Sequence, residues 1–95
     1  MKYICFWEFE PKDFDKMIEK YNQAIEEREK VPEKFPKILF GPYSIGGEWK
    51  GFTVYEATPE QMTNLVLHYM PEEKLKFMPI FDGKKVIERY LKMKK

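Results

Sequence analysis

Apolar and polar residues along this chain switch between two periods, and each switch marks an element. Residues 2–9, KYICFWEF, put Tyr3, Cys5, Trp7 and Phe9 on one side and Ile4 and Phe6, then Glu8, on the other. A period-two segment that is apolar on both sides predicts a central strand covered on both faces. Over residues 12–30 the period lengthens. Phe14, Met17, Ile18, Tyr21, Ala24, Ile25 and Arg28 follow an i, i+3, i+4, i+7 stripe and predict an amphipathic helix that buries them. Pro32 ends that helix and Pro36 keeps the linker extended. Residues 37–44, KILFGPYS, return to a strand pattern. Pro42 has no N–H to give to a ladder, which places this strand at a sheet edge or its end at a bulge. Gly46-Gly47 signals a hairpin, and residues 50–57, KGFTVYEA, read as the returning strand.

The sharpest local signal is Thr58-Pro59-Glu60-Gln61. Thr58 caps, Pro59 suits the first helical position and Gln61 completes a capping box. The helix it opens runs to about Tyr69 on Met62, Leu65, Val66 and Tyr69, and Pro71 stops it. Residues 74–81, KLKFMPIF, form a last strand, with Pro79 again arguing for an edge. Asp82-Gly83 turns the chain into a helix from Lys84 to Met93 that should bury Val86, Ile87, Tyr90 and Leu91; Lys92, Lys94 and Lys95 suit its end. The order is β-α-β-β-α-β-α. Its first six elements are the ferredoxin-like βαββαβ unit, an α+β fold with a four-stranded antiparallel sheet in the order 4-1-3-2, here with an extra C-terminal helix. That order puts both proline-bearing strands at edges.

Composition narrows the function classes. The 95 residues make one domain, 1–95. Aromatics are 17%, more than one thin core hides, so the sheet must be covered on both faces or expose an aromatic surface. A net charge of +1 leaves no electrostatic footprint for nucleic acid or an anionic membrane. Abundant Lys and Glu with few amides lean toward a thermophile. The single Cys5 excludes an internal disulfide and points to a reducing, cytoplasmic setting. The early charges of MKYICFWEFE do not make a signal peptide, and no apolar run reaches a membrane span.

The unit places both main helices on one face of the sheet. The other face carries either Ile4, Phe6, Phe52 and Val54, or Tyr3, Cys5, Trp7, Thr53 and Tyr55, and either set is too apolar for water. Three readings cover it: a homodimer packed sheet to sheet, an RNA surface, or a small-molecule cavity. Lys50-Gly51-Phe52 matches the K/R-G-F opening of an RNA-recognition strand, but the same face continues with Val54 and Glu56, whose carboxylate repels phosphate. The dimer fits better. MKYICFWEFEP, PKILFGPYSIGGEWKGFTVYEA and HYMPEEKLKFMPIFDGKKVIERYLK together resemble a family of small uncharacterised prokaryotic proteins of the dimeric α/β-barrel group. The resemblance implies ferredoxin-like protomers whose sheets pack face to face. It implies no activity, because relatives in that group include cofactor-free monooxygenases, haem-handling enzymes and isomerases.

Few residues offer chemistry. Glu8 and Glu56 each interrupt an apolar face late in a strand. With the first and third strands taken as parallel neighbours, the two carboxylates meet at one end of the sheet and one pKa rises. The alternative is that both are solvated at the rim. A metal would need a third ligand that the sequence does not place, so no metal or cofactor is expected. His68, the only histidine, flanks the stripe of its helix and is a base, a metal ligand or a partly exposed surface residue. Trp7, Tyr43 and Tyr55 suit a flat ligand or plain packing, and Trp49 follows the hairpin glycines. Cys5 reads as an inert core thiol. The expectation is a homodimeric small-molecule-binding module whose pocket is lined by Trp7, Tyr43, Tyr55 and Glu8. The alternative is a cofactor-independent enzyme, monooxygenase- or isomerase-like, using Glu8, Glu56 or His68 on a small aromatic or enolic substrate. A cavity holding a carboxylate of raised pKa favours the enzyme.

Overall fold

The computed structural model describes residues 1–94; Lys95 lies outside the described residues. Four strands and three helices follow the order β1 (Lys2–Phe9), α1 (Phe14–Lys30), β2 (Lys37–Ser44), β3 (Lys50–Glu56), α2 (Pro59–Tyr69), β4 (Glu73–Ile80) and α3 (Gly83–Met93). A 3-10 turn at Pro11–Asp13 leads into α1. The strands form one sheet, ordered β2-β3-β1-β4, with every neighbouring pair antiparallel. β2 and β4, which carry Pro42 and Pro79, are its edges.

Period two decides which side chains meet the helices. Tyr3 and Cys5 of β1, with Thr53 and Tyr55 of β3, face Met17 and Ala24 of α1 and Met62, Leu65 and Tyr69 of α2. Phe35, in the linker between α1 and β2, is 2% exposed and completes this core. The capping box forms as expected. Thr58 Oγ1 accepts from the Gln61 N–H at 3.2 Å, and Gln61 Oε1 accepts from the Thr58 N–H at 2.9 Å. Gln61 and Asn64 also donate to the carbonyls of Glu33 and Lys34, which ties the start of α2 to that linker.

The opposite face of the sheet is open. Phe6, Phe40, Tyr43 and Phe52 form one aromatic cluster there, with ring centroids 4.8–6.4 Å apart. Of the two sets weighed from sequence, the one with Ile4, Phe6, Phe52 and Val54 is therefore the uncovered one.

Three expectations need correction. β1 and β3 are antiparallel, not parallel. The crossover through α1 sets β2 running with β1, and the hairpin then reverses β3, so β3 must oppose β1. Second, α1 buries only Met17 and Ala24; Phe14, Ile18, Tyr21 and Ile25 are 37–44% exposed, because a cavity separates much of this helix from the sheet. Third, α3 buries nothing. Its Val86, Ile87, Tyr90 and Leu91 are 54–61% exposed, since the helix projects away from the sheet and the molecule is stretched to 56 × 33 × 19 Å.

Candidate functional site

The cavity lies between α1 and the helix-covered face of the sheet, and its volume is about 510 Å³. That is within the usual span for small-molecule pockets, roughly 300–1,000 Å³. Its inner wall is Thr53 and Tyr55 of β3, Leu65 and Tyr69 of α2, and Glu73 of β4, all buried. Toward solvent it is lined by Phe14, Ile18 and Tyr21 of α1 and by Trp49 after the β2–β3 turn.

Local sequence builds this mouth. Gly46 takes a positive φ of 58°, and the Ile45 N–H donates to the Lys50 carbonyl at 2.9 Å, closing a short loop. The Phe9 N–H donates to the Trp49 carbonyl at 3.0 Å, which holds the loop against the end of β1. Phe9, Phe14 and Trp49 then pack with centroids 5.5–6.0 Å apart, and Phe9 stacks on Trp7 at 6.1 Å. Trp7 is fixed from the other side, where its indole N–H donates to Thr53 Oγ1 at 3.2 Å. The walls are therefore aromatic and mostly apolar.

Polar groups are few and graded along the wall. Arg28 lies toward the β2 side, its Nε donating to the Pro36 carbonyl at 2.9 Å. Tyr55 and Tyr69 follow. Burial pushes the Tyr55 phenol up to about 12 and also raises Tyr69, while the Arg28 charge opposes both shifts. Glu73 comes last. It is 8% exposed, and its Oε2 is the one buried side-chain oxygen or nitrogen without a hydrogen-bond partner among the described residues. Burial pushes its carboxyl up to about 8, and the Lys20 charge only partly offsets this. Lys20 instead pairs with Glu72 and donates to the Met70 carbonyl. A buried carboxyl without a partner costs free energy unless something satisfies it.

The expected site residues separate. Trp7 and Tyr55 line the cavity. Tyr43 does not, because it stands on the open face with Phe40 and Phe52. Glu8 and Glu56 do not meet, which overturns the paired-carboxylate idea. The antiparallel register places Glu8 opposite Lys50 and Glu56 opposite Lys2, so they occupy opposite ends of the sheet, roughly 20 Å apart at about 3.4 Å per residue. Both are exposed, and neither lines the cavity. His68 is half-buried between α1 and α2. Its Nε2–H donates to the Lys20 carbonyl at 2.7 Å, and its ring packs on Phe35 at 5.3 Å, so it ties the two helices together.

Glu73 escapes a sequence reading. It is one of the two glutamates after Pro71 and resembles a solvated loop residue; the only clue is that extending the β4 alternation back by one step puts it on the Leu75 and Phe77 side. Among the described residues no group of three His, Cys, Asp or Glu side chains is placed to hold a metal ion, and no helix is long and apolar enough to cross a membrane. No family model, curated protein or solved structure matches the chain.

Proposed function

We propose that the chain acts as a homodimer of ferredoxin-like protomers in the dimeric α/β-barrel arrangement, each binding a small, flat, largely apolar molecule in its cavity. Glu73 anchors that molecule through one hydrogen bond. The observation that carries this reading is Glu73, which lines an aromatic cavity of about 510 Å³ and whose buried Oε2 has no hydrogen-bond partner among the described residues. The pairing is supported by the open face, where exposed Phe6, Phe40 and Tyr43 form a contiguous aromatic patch of the kind that marks an interface. The buried Cys5 thiol suits a reducing, cytoplasmic setting.

Thermal-shift screening with planar compounds that carry a single hydroxyl, amide or carbonyl tests the binding. Such compounds should raise the melting temperature of the intact protein, and Glu73→Leu should abolish the gain. An equal gain in the variant would refute the anchor. Light scattering should show a dimer at micromolar concentration and a monomer for Phe52→Glu. A monomeric parent chain, or a dimer that survives Phe52→Glu and binds single-stranded RNA, would refute the pairing.

The position of the Glu73 carboxyl, near 8 and beside an open cavity, favours a second reading as an enzyme. A group that holds and releases a proton near neutrality serves as general acid or base on an enolisable substrate without a cofactor. The measurement is hydrogen–deuterium exchange at the carbon next to the carbonyl of a planar ketone, followed by NMR. Exchange that Glu73→Gln removes supports catalysis, and absence of exchange in the parent protein leaves binding alone.

A further inference from the structure

α3 is the largest structural element that nothing in its own chain explains. Asp82 caps it, with Oδ1 accepting from the Lys84 N–H at 2.9 Å, yet none of its residues is buried. Helices this short are marginal in water without tertiary packing. Val86, Ile87, Tyr90 and Leu91 nevertheless form a continuous apolar stripe on it.

We propose that α3 docks along α1 of a second copy of this chain, across the mouth of that copy's cavity, so that each cavity is closed by its neighbour's helix. The inference rests on the pairing proposed above and adds the surface that α3 covers.

Three observations favour a second copy as the occupant. The first is shape. Phe14, Ile18, Tyr21 and Ile25 fall at i, i+4, i+7 and i+11 on α1, one exposed apolar line. That line is about 16 Å long, the length of an 11-residue helix such as α3. Its first three residues also line the cavity mouth.

The second is charge. Residues 83–95 hold 6 basic residues and 1 acidic residue, whereas residues 1–82 hold 11 basic and 15 acidic. The near-neutral total conceals a basic helix and an acidic body. On α1, Asp15, Glu26 and Glu29 lie one position beyond the apolar line or one turn from it, and none takes part in an ion pair among the described residues. A basic amphipathic helix fits an apolar line with acids beside it.

The third is topology. β4 and β2 are opposite edges of the sheet. When two such sheets pack face to face about a two-fold axis parallel to the strands, β4 of one copy comes beside β2 of the other. α3 follows β4 after only Phe81 and Asp82, and α1 leads into β2, so the partner's α1 is the nearer target.

The test places a photo-crosslinking residue at Leu91 in the full chain and mixes isotopically heavy and light protein before irradiation. Links from Leu91 of one copy to residues 14–25 of the other are expected. The Ile87→Glu/Leu91→Glu variant should weaken the dimer by about tenfold or more, as loss of central apolar anchors does. Its unfolding midpoint, measured dilute enough that parent and variant are both monomeric, should be unchanged, since no residue of α3 is buried in its own chain. Asp15→Lys/Glu26→Lys should weaken the dimer too, and mixing with Lys85→Glu/Arg89→Glu protein should restore it. A dimer whose affinity falls by less than about tenfold under Ile87→Glu/Leu91→Glu, or whose Leu91 links elsewhere, overturns the docking and leaves the sheet-to-sheet pair standing. A parent chain that is monomeric overturns both. Binding of the intact protein to phosphatidylglycerol vesicles through α3, without links to α1, would assign the helix to a membrane surface instead.

Discussion

Trp7 lies so close to Gly51, its register partner on β3, that a methyl group at position 51 would stand 2.5 Å from the indole Cζ2. The same methyl would stand 2.0 Å from the carbonyl oxygen of Tyr43 on β2. Position 51 is therefore glycine because of space: its bare Cα lets an edge strand and an indole approach from two sides.

Gly51→Ala should destabilise the protein by about 1–3 kcal/mol, the usual cost of overpacking, because backbone at Tyr43 must move as well as the Trp7 ring. Urea unfolding followed by tryptophan emission measures this. A midpoint equal to that of the parent protein would show that β2 yields freely at its bulges.

Glu73 makes stability depend on pH in a defined direction. Its carboxyl titrates near 8 when folded against 4.5 ordinarily, with burial the cause. Between those values the native state keeps a proton that the unfolded chain has released. Stability should therefore fall as pH rises from about 4.5 to about 8 and stop falling above that. Glu73→Gln should remove this fall and leave the protein more stable than the parent at pH 8. Urea midpoints across that range provide the check; an unchanged slope in the variant would exclude Glu73 as its source.

Cys5 is fully buried, and burial pushes its thiol up to about 12, with the Glu73 charge adding to the shift. At pH 8 the native protein should react with a disulfide reagent far more slowly than a free cysteine does, because thiolate is the reactive form. The rate should rise to the free value in urea. Fast labelling of native protein would contradict a closed core here.

Loss of the capping box has a smaller, local price. Thr58→Ala removes the acceptor for the Gln61 N–H and should cost about 1 kcal/mol, measured by thermal unfolding. Gln61→Ala should cost at least as much, since Gln61 also donates to the Glu33 carbonyl.

Element types and order were legible because each rests on a local signal: alternation in KYICFWEF, the capping box at Thr58, prolines at both edge strands. What escaped depends on where an amphipathic face points. The stripe of α1 reads the same whether it packs on a sheet or spans a cavity, and that of α3 reads the same whether its cover is its own chain or another. The site shared this fate. Trp7 and Tyr55 line the cavity because aromatic residues on a central strand line whatever lies above it. Tyr43 stands away from the cavity because the irregularities in β2 between Ile38 and Tyr43 shift the alternation, and Glu73 is not legible because the residues it shares a wall with, Tyr55, Leu65 and Tyr69, come from β3 and α2 rather than from its own neighbours in sequence.

Glu8, outside the cavity, has a different consequence. It sits between Lys50 on β3 and Lys74 on β4, and at the far end of the sheet Lys2 faces Glu56. A two-residue slip of β1 against β3 keeps every side chain on its proper face, so the apolar pattern alone cannot forbid it. Such a slip sets Glu8 against Glu48 in one direction, and in the other it sets Glu56 against Ile4 on the aromatic face. The charges at the strand ends thus act as an alignment code, telling the correct partner from a shifted one while the sheet assembles.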